Sequence, residues 1–168
     1  MLIVNVVDLL RRPGSRRPFE GSVAVAEPLV MLDVSVPAGS LISVDLVVES
    51  MSDGASVVGT VRAPWAGECM RCLQPAGGVL VADVRELYQQ RPTTDESFEF
   101  DGEHIDLEPM ARQSVMLELP VAPLCRPNCA GLCAICGANR NDAPCTCTTA
   151  PVDVRWSALD ELRAQFPD

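Results

Sequence analysis

Six cysteines stand between residues 125 and 147, at Cys125, Cys129, Cys133, Cys136, Cys145 and Cys147, separated by glycine, proline and asparagine rather than by core residues. Thiols this crowded need a common partner. Two thiolates separated by two residues face one ion when the chain between them turns tightly, and Gly137 behind Cys136 supplies the permissive backbone position for such a turn. Cys133-Ala-Ile-Cys136-Gly137 therefore reads as a zinc knuckle. Cys69 and Cys72, well upstream, form a second pair of the same spacing. A closed structural zinc site takes four ligands, so the eight cysteines supply two sites, or one site with four thiols to spare. Spacing alone does not choose between them.

An even cysteine count also suits a disulfide framework, which requires an oxidising compartment. The segment Met1–Leu10 is apolar but has no cation ahead of it, carries Asn5 and Asp8 inside it, and has its arginines on the far side. It is not read as a secretory signal. No later apolar run approaches the ~18 residues of a membrane span. The expectation is a cytoplasmic chain with no membrane partner, reduced thiols and bound zinc.

Charge limits what such a chain binds. The formal net charge is −10, which opposes binding to bare nucleic acid because that affinity is built from neutralised phosphates. Each four-thiolate zinc site brings four negative charges against two positive, so one site takes the balance to about −12 and two to about −14. A basic protein is the easier partner for this surface. The one concentrated basic stretch is Arg11, Arg12, Arg16 and Arg17, read as a solvated loop and as the candidate direct RNA contact. Aromatic residues make up 4% of the chain, too few for a base-stacking platform. All thirteen basic residues are arginine, which excludes lysine catalysis and the phosphate-binding loop that ends in lysine.

The elements that must position the cysteines are mostly strands. Residues 2 to 7 read as a strand, with a turn of helix from Asp8 ended by Pro13-Gly14. Apolar residues alternate over Val30–Val36, Ile42–Val48 and Val57–Trp65, and residues 78 to 90 form a longer return strand. Cys69-Met-Arg-Cys72 then falls at a hairpin tip, free to reach a metal. Residues 91 to 97 read as a polar linker, and Phe98 to Leu107 as a short hairpin turning at Asp101-Gly102. Asp106 caps a helix that carries Pro109 in its first turn, sets Leu107, Met110, Ala111, Ser114 and Val115 on one face, and ends near Leu119-Pro120. A last short helix opens at Ser157 with Leu159, Leu162 and Phe166 as its stripe, and Trp156 packs the tail down. The expected architecture is a single α+β domain over residues 1 to 168. Residues 1 to 107 are its mainly antiparallel β core, a curled sheet or open barrel. Residues 108 to 168 hold a helix, the Cys-rich zinc-binding segment and the C-terminal helix.

No active site emerges. His104 is the only histidine and stands in a turn among acidic neighbours, with no nucleophile motif nearby. Glu86, Glu99, Asp101, Glu103 and Asp106 read as solvated carboxylates. An all-cysteine metal set is closed, whereas a hydrolytic site keeps an open position. Thiol–disulfide exchange is the surviving enzymatic alternative, but neither Cys-x-x-Cys pair opens a helix after a strand.

In combination, Cys69-x-Arg71-Cys72-Leu73, Glu86-Leu-Tyr88, Ile105-Asp-Leu107, Leu117-Glu-Leu-Pro120, Pro123-Leu-Cys125, Cys129-x-Gly131-Leu-Cys133-x-x-Cys136-Gly137-x-Asn139, Cys145-x-Cys147 and Arg155-Trp156-x-x-Leu159 resemble the YceD-like family, the large-ribosomal-RNA accumulation proteins. Asn139-Arg140-Asn141 stands where related members usually read Asn-Leu-Asn. The resemblance implies a bacterial cytoplasmic factor, without catalytic activity, that supports synthesis, processing or stability of large-subunit ribosomal RNA. Its partners would be ribosomal RNA processing or large-subunit assembly components, reached through a basic protein. The alternative is a zinc-ribbon adaptor for another machine such as transcription.

Overall fold

A computed structural model describes residues 1–92, 97–143, 145–147, 155 and 159. In chain order the elements are β1 (Ile3–Asn5), α1 (Val7–Leu10), β2 (Arg16–Ala24), β3 (Leu29–Met31), β4 (Val34–Val36), β5 (Leu41–Met51), β6 (Gly54–Glu68), β7 (Pro75–Gln89), β8 (Ser97–Glu99), β9 (His104–Asp106) and α2 (Glu108–Glu118). The fold is α+β and mainly antiparallel. Among the described residues seven strands form one open sheet whose spine is β6. Its first half pairs with β5, which carries β2 at the edge, and its second half pairs with β4 and through it β3. On its other side β6 pairs with β7 along their whole length, from Ala55↔Tyr88 to Glu68↔Pro75.

Alternation decides which face of this sheet is buried. In β5, Ile42, Val44, Leu46 and Val48 point inward while Leu41, Val47 and Met51 are exposed. Val61 and Ala63 of β6 sit opposite Ala82 and Leu80 of β7 in register, and all four are buried. Helix α2 lies over this layer, against β7, β6, β5 and β3, with Met110, Ala111 and Val115 buried. The small β1–β9 sheet adds Val4 and Ile105 to the same core, and Leu2 and Leu107 join them from its flanks. The Asp106 carboxylate accepts the Glu108 N–H at 2.9 Å, and the helix stops at Leu119, whose extended backbone precedes Pro120.

Three readings of the sequence need correction. The alternating stretch Val30–Val36 is not one strand but the β3–β4 hairpin, with Met31 opposite Val34 and Leu32 at φ 54° in the turn. The reversal puts Val34 and Val36 in the core and leaves Val30 and Leu32 exposed, although all four share one parity. The arginine-rich stretch is not wholly a loop. Arg16, Arg17 and Pro18 open β2, with Arg16 opposite Glu49 of β5, and β2 tolerates Pro18 because it is an edge strand. Phe98 to Leu107 is not a hairpin either: β8 runs parallel to the end of β7, and β9 pairs with β1. The predicted C-terminal helix from Ser157, with Leu162 and Phe166, and the packing of Trp156 lie outside the described residues. So do residues 93–96 of the predicted linker.

Candidate metal centres

The hairpin tip between β6 and β7 and the chain after α2 supply two turns of the same form. At the tip, the Cys69 N–H donates to the Gln74 carbonyl and the Leu73 N–H donates to the Cys69 carbonyl at 2.8 Å. In the later turn the Gly137 N–H donates to the Cys133 carbonyl at 2.9 Å. The residue after the second cysteine is left-handed in both, at φ 59° for Leu73 and 72° for Gly137. Glycine takes that conformation freely, whereas Leu73 holds it at a cost of about 1–2 kcal/mol.

These turns place the eight cysteines in two sets. Cys69, Cys72, Cys125 and Cys129 form one, and Cys133, Cys136, Cys145 and Cys147 the other; within each set all four sulfurs lie within 4.8 Å of one another. In the first set Cys69 Sγ is 3.8 Å from Cys129 Sγ, and Cys72 Sγ is 3.6 Å from Cys125 Sγ. Four thiolates at ~2.3 Å from a tetrahedral zinc stand ~3.8 Å apart, so the donor set and its spacing fit a closed metal site. A disulfide needs ~2.05 Å, and all eight cysteines are free. Thus the pair that spacing left without an assigned partner, Cys69 and Cys72, joins Cys125 and Cys129 across space. The first set is mostly sunk in the fold, with Cys69, Cys72 and Cys129 buried beside Ala76, Trp65 and Leu124. The second is half-buried to exposed.

A clasp of backbone and side-chain bonds holds the first set together. The Met70 N–H donates to the Pro123 carbonyl, the Leu132 N–H donates to the Arg71 carbonyl, and Arg71 Nη1 donates to the Cys129 carbonyl at 3.0 Å. Gly131, at φ 70°, lies so close that a Cβ there would stand 3.0 Å from the Arg71 carbonyl oxygen. Asn141 Nδ2 donates to Cys129 Sγ at 3.3 Å. Sequence reasoning noted Arg71 and Asn141 only as parts of a motif. The available signal was chemical: an arginine inside one Cys-x-x-Cys turn, and amide side chains in the loop after the other.

The thiols of each set ionise unequally. Backbone N–H groups, that of Cys125 foremost, outweigh burial and bring Cys69 down to about 6. The Cys136 and Ile135 N–H groups do the same for Cys133, also to about 6. Desolvation and the hydrogen bond its thiol donates to Cys72 push Cys125 up to about 12, and the hydrogen bond with Cys136 together with desolvation pushes Cys147 up to about 12. Four thiols in one small volume cannot all carry charge without a cation; a divalent ion removes that conflict and expels the remaining protons.

The other candidate residues lie apart from the cysteines. Arg11 pairs with Asp8 at 3.2 Å, Arg16 pairs with Glu49 at 3.0 Å, and Arg17 Nη1 donates to the Asn5 carbonyl at 2.6 Å. Together with the exposed Arg12 they line a shallow depression beside α1. His104 is on β9, near Asn5 and 3.6 Å from Asp101, whose carboxylate caps the turn by accepting the Glu103 and His104 N–H groups. These backbone bonds, that from His104 first, hold the Asp101 carboxyl below its ordinary pKa. No helix among the described residues is long and apolar enough to cross a membrane.

Comparison with known proteins adds a family. The family model described as large ribosomal RNA subunit accumulation protein YceD matches residues 57–163, a span that contains both cysteine sets. An uncharacterised protein of Mycobacterium tuberculosis (strain H37Rv) is 38% identical over 168 residues, covering 96% of this chain and 81% of its own length. One from Mycobacterium leprae is 36% identical over 146 residues, covering 82% of this chain and 67% of its own. The chloroplastic large ribosomal RNA subunit accumulation protein YCED homolog 1 of Zea mays is 28% identical over 142 residues, covering 64% of this chain and 47% of that protein. No solved structure matches the chain.

Proposed function

The chain belongs to the YceD family, and from that membership we propose that it is a non-enzymatic factor of the bacterial cytoplasm supporting synthesis, processing or stability of large-subunit ribosomal RNA. The family match carries this reading, and the chemistry of the sites supports it. Four thiolates leave a bound metal no open position for water or substrate, so the sites staple structure rather than activate a nucleophile. Zinc is the metal that an all-cysteine tetrahedron suits best. Depleting the protein from cells is expected to lower the ratio of mature large-subunit to small-subunit RNA. An unchanged ratio would leave the zinc-ribbon adaptor as the better reading, and reduction of insulin disulfides by the purified protein would revive the redox one.

An acidic factor acts on RNA most readily through a basic protein partner, a ribosomal protein or a processing enzyme. Arg16 and Arg11 are paired with Glu49 and Asp8, which weakens them as phosphate ligands. On the partner route, purified protein binds naked RNA weakly near physiological salt, and changing Arg11, Arg12, Arg16 and Arg17 to Gln leaves its association with precursor RNA in cells intact. Tight, salt-sensitive RNA binding abolished by those changes would refute the partner and assign the contact to the arginines.

A further inference from the structure

The loop between Cys136 and Cys145 belongs by its ends to the second cysteine set, yet its middle is bonded to the first. Leu132 and Asn139 form a β-bridge, and the Arg140 N–H donates to the Gly131 carbonyl at 2.9 Å. Asn141 reaches further. Its Oδ1 accepts the Ala130 N–H at 2.8 Å and Arg126 Nη2 at 2.6 Å. Both are donors only, so the amide has one possible orientation: Nδ2 faces Cys129 Sγ at 3.3 Å and Asn139 Oδ1 at 2.7 Å. Asn139 is fixed in the same way, because its Oδ1 also accepts the Asn141 backbone N–H at 3.0 Å.

Resting on the reading that both sets bind metal, we infer that Asn141 is a positioning residue coupling the two sites: filling the second set fixes the loop that aims its amide at Cys129, and this raises the affinity of the first. The physical basis is the charge of a four-thiolate site, −2 even with a divalent ion bound. An N–H donated to a ligand sulfur offsets part of that charge and holds the sulfur in its ligating orientation, so it stabilises the loaded, anionic site. The donor is supplied by a loop that runs between Cys136 and Cys145, two members of the second set, so closing that set on an ion would restrain the loop further. By linkage the coupling is reciprocal: filling the first set also favours the second.

Asn141→Asp tests this with little change of shape. The carboxylate keeps the acceptor for Ala130 and Arg126 but turns an oxygen toward the sulfur. The full chain is titrated with Zn²⁺ against a chromophoric chelator, and with Co²⁺ to read the thiolate-to-metal charge-transfer bands. Cys145→Ser/Cys147→Ser isolates the first site, and Cys69→Ser/Cys72→Ser the second. Asn141→Asp is expected to weaken the first site about 10–100-fold and to shift its charge-transfer band. Emptying the second site should weaken the first comparably, with little further loss when Asn141→Asp is added. Losses that simply multiply, or a first site unmoved in affinity and spectrum, would overturn the coupling. Wild-type protein holding fewer than two equivalents would overturn the metal reading beneath it. Should the variants fail to fold, the wild type loaded with ¹¹³Cd²⁺ decides, because the Asn141 side-chain amide proton must then show scalar coupling to the cadmium of the first site. Its absence refutes the hydrogen bond.

Discussion

Stripping the metal from reduced protein is expected to unfold residues 123 to 147 while the β5–β6–β7 layer stays folded. Among the described residues of that stretch only Pro123, Cys129 and Gly131 are buried, and the Leu132–Asn139 bridge is its one piece of ladder. Ordering each residue costs about 1–2 kcal/mol of backbone entropy, which so little burial cannot offset. A structural zinc contributes on the order of 10 kcal/mol of apparent binding free energy at neutral pH, enough to decide the balance. Hydrogen exchange reads the result. The N–H groups of Cys129, Leu132, Cys133, Gly137 and Arg140, all bonded to carbonyls, should lose protection on chelation, while those of β5 to β7 keep theirs. Elemental analysis before chelation should find two metal equivalents. A metal-free protein with the segment still protected would defeat the staple.

The second large effect is expected at Tyr88. Its side chain is 1% exposed, stacks on Phe98 at 5.2 Å between ring centroids, and donates its hydroxyl to the Asp106 carbonyl at 3.3 Å. The ring thereby joins β7 to β8 and to the chain entering α2. Tyr88→Ala removes this packing and should cost about 3–5 kcal/mol, as aromatic truncations in cores do. Tyr88→Phe removes only the hydroxyl and should cost about 1 kcal/mol. Urea denaturation of the metal-saturated variants separates the two, and equal midpoints would show that the ring carries no packing load.

The parts of the fold that were legible in the sequence are those in which one local signal decides. Alternation gave β5, β6 and β7 because each has one buried and one solvated face. Asp106, Pro109 and Pro120 marked α2 because their effects act within a single turn: Leu107 takes the cap position, and Asp106 just before it accepts the Glu108 N–H. The reversal at Leu32 was hidden, since a two-residue turn preserves the period of two and no glycine marks it. Edge strand β2 was hidden too: its opening Arg16 and Arg17 read as a solvated loop, and Arg17, Phe19, Gly21 and Val23 on its inner face are only half-buried. At the candidate site, two-residue spacing identified the turns but not the partners. Cys72 meets Cys125 only because β7, β8, β9 and α2 bring the later segment back to the hairpin tip, and no local pattern records such a return.

The two cysteine sets enclose very different lengths of chain, and that difference sets a folding order. The second set spans a single short stretch from Cys133 to Cys147, which closes at small entropic cost. The first cannot close until β7, β8, β9 and α2 lie between its halves. Because its pairing is local, the β6–β7 hairpin is expected to form early as the chain emerges from its N-terminus. It then displays Cys69 and Cys72 as a half-site that holds metal only loosely. Cys125 and Cys129 arrive after α2 has docked on the sheet, so tight capture of the ion at the first site waits for a correctly built core. In that order a bound metal would be a latch that closes late, and a chain misfolded upstream of Cys125 is expected to keep the Cys69 and Cys72 thiols open to alkylation.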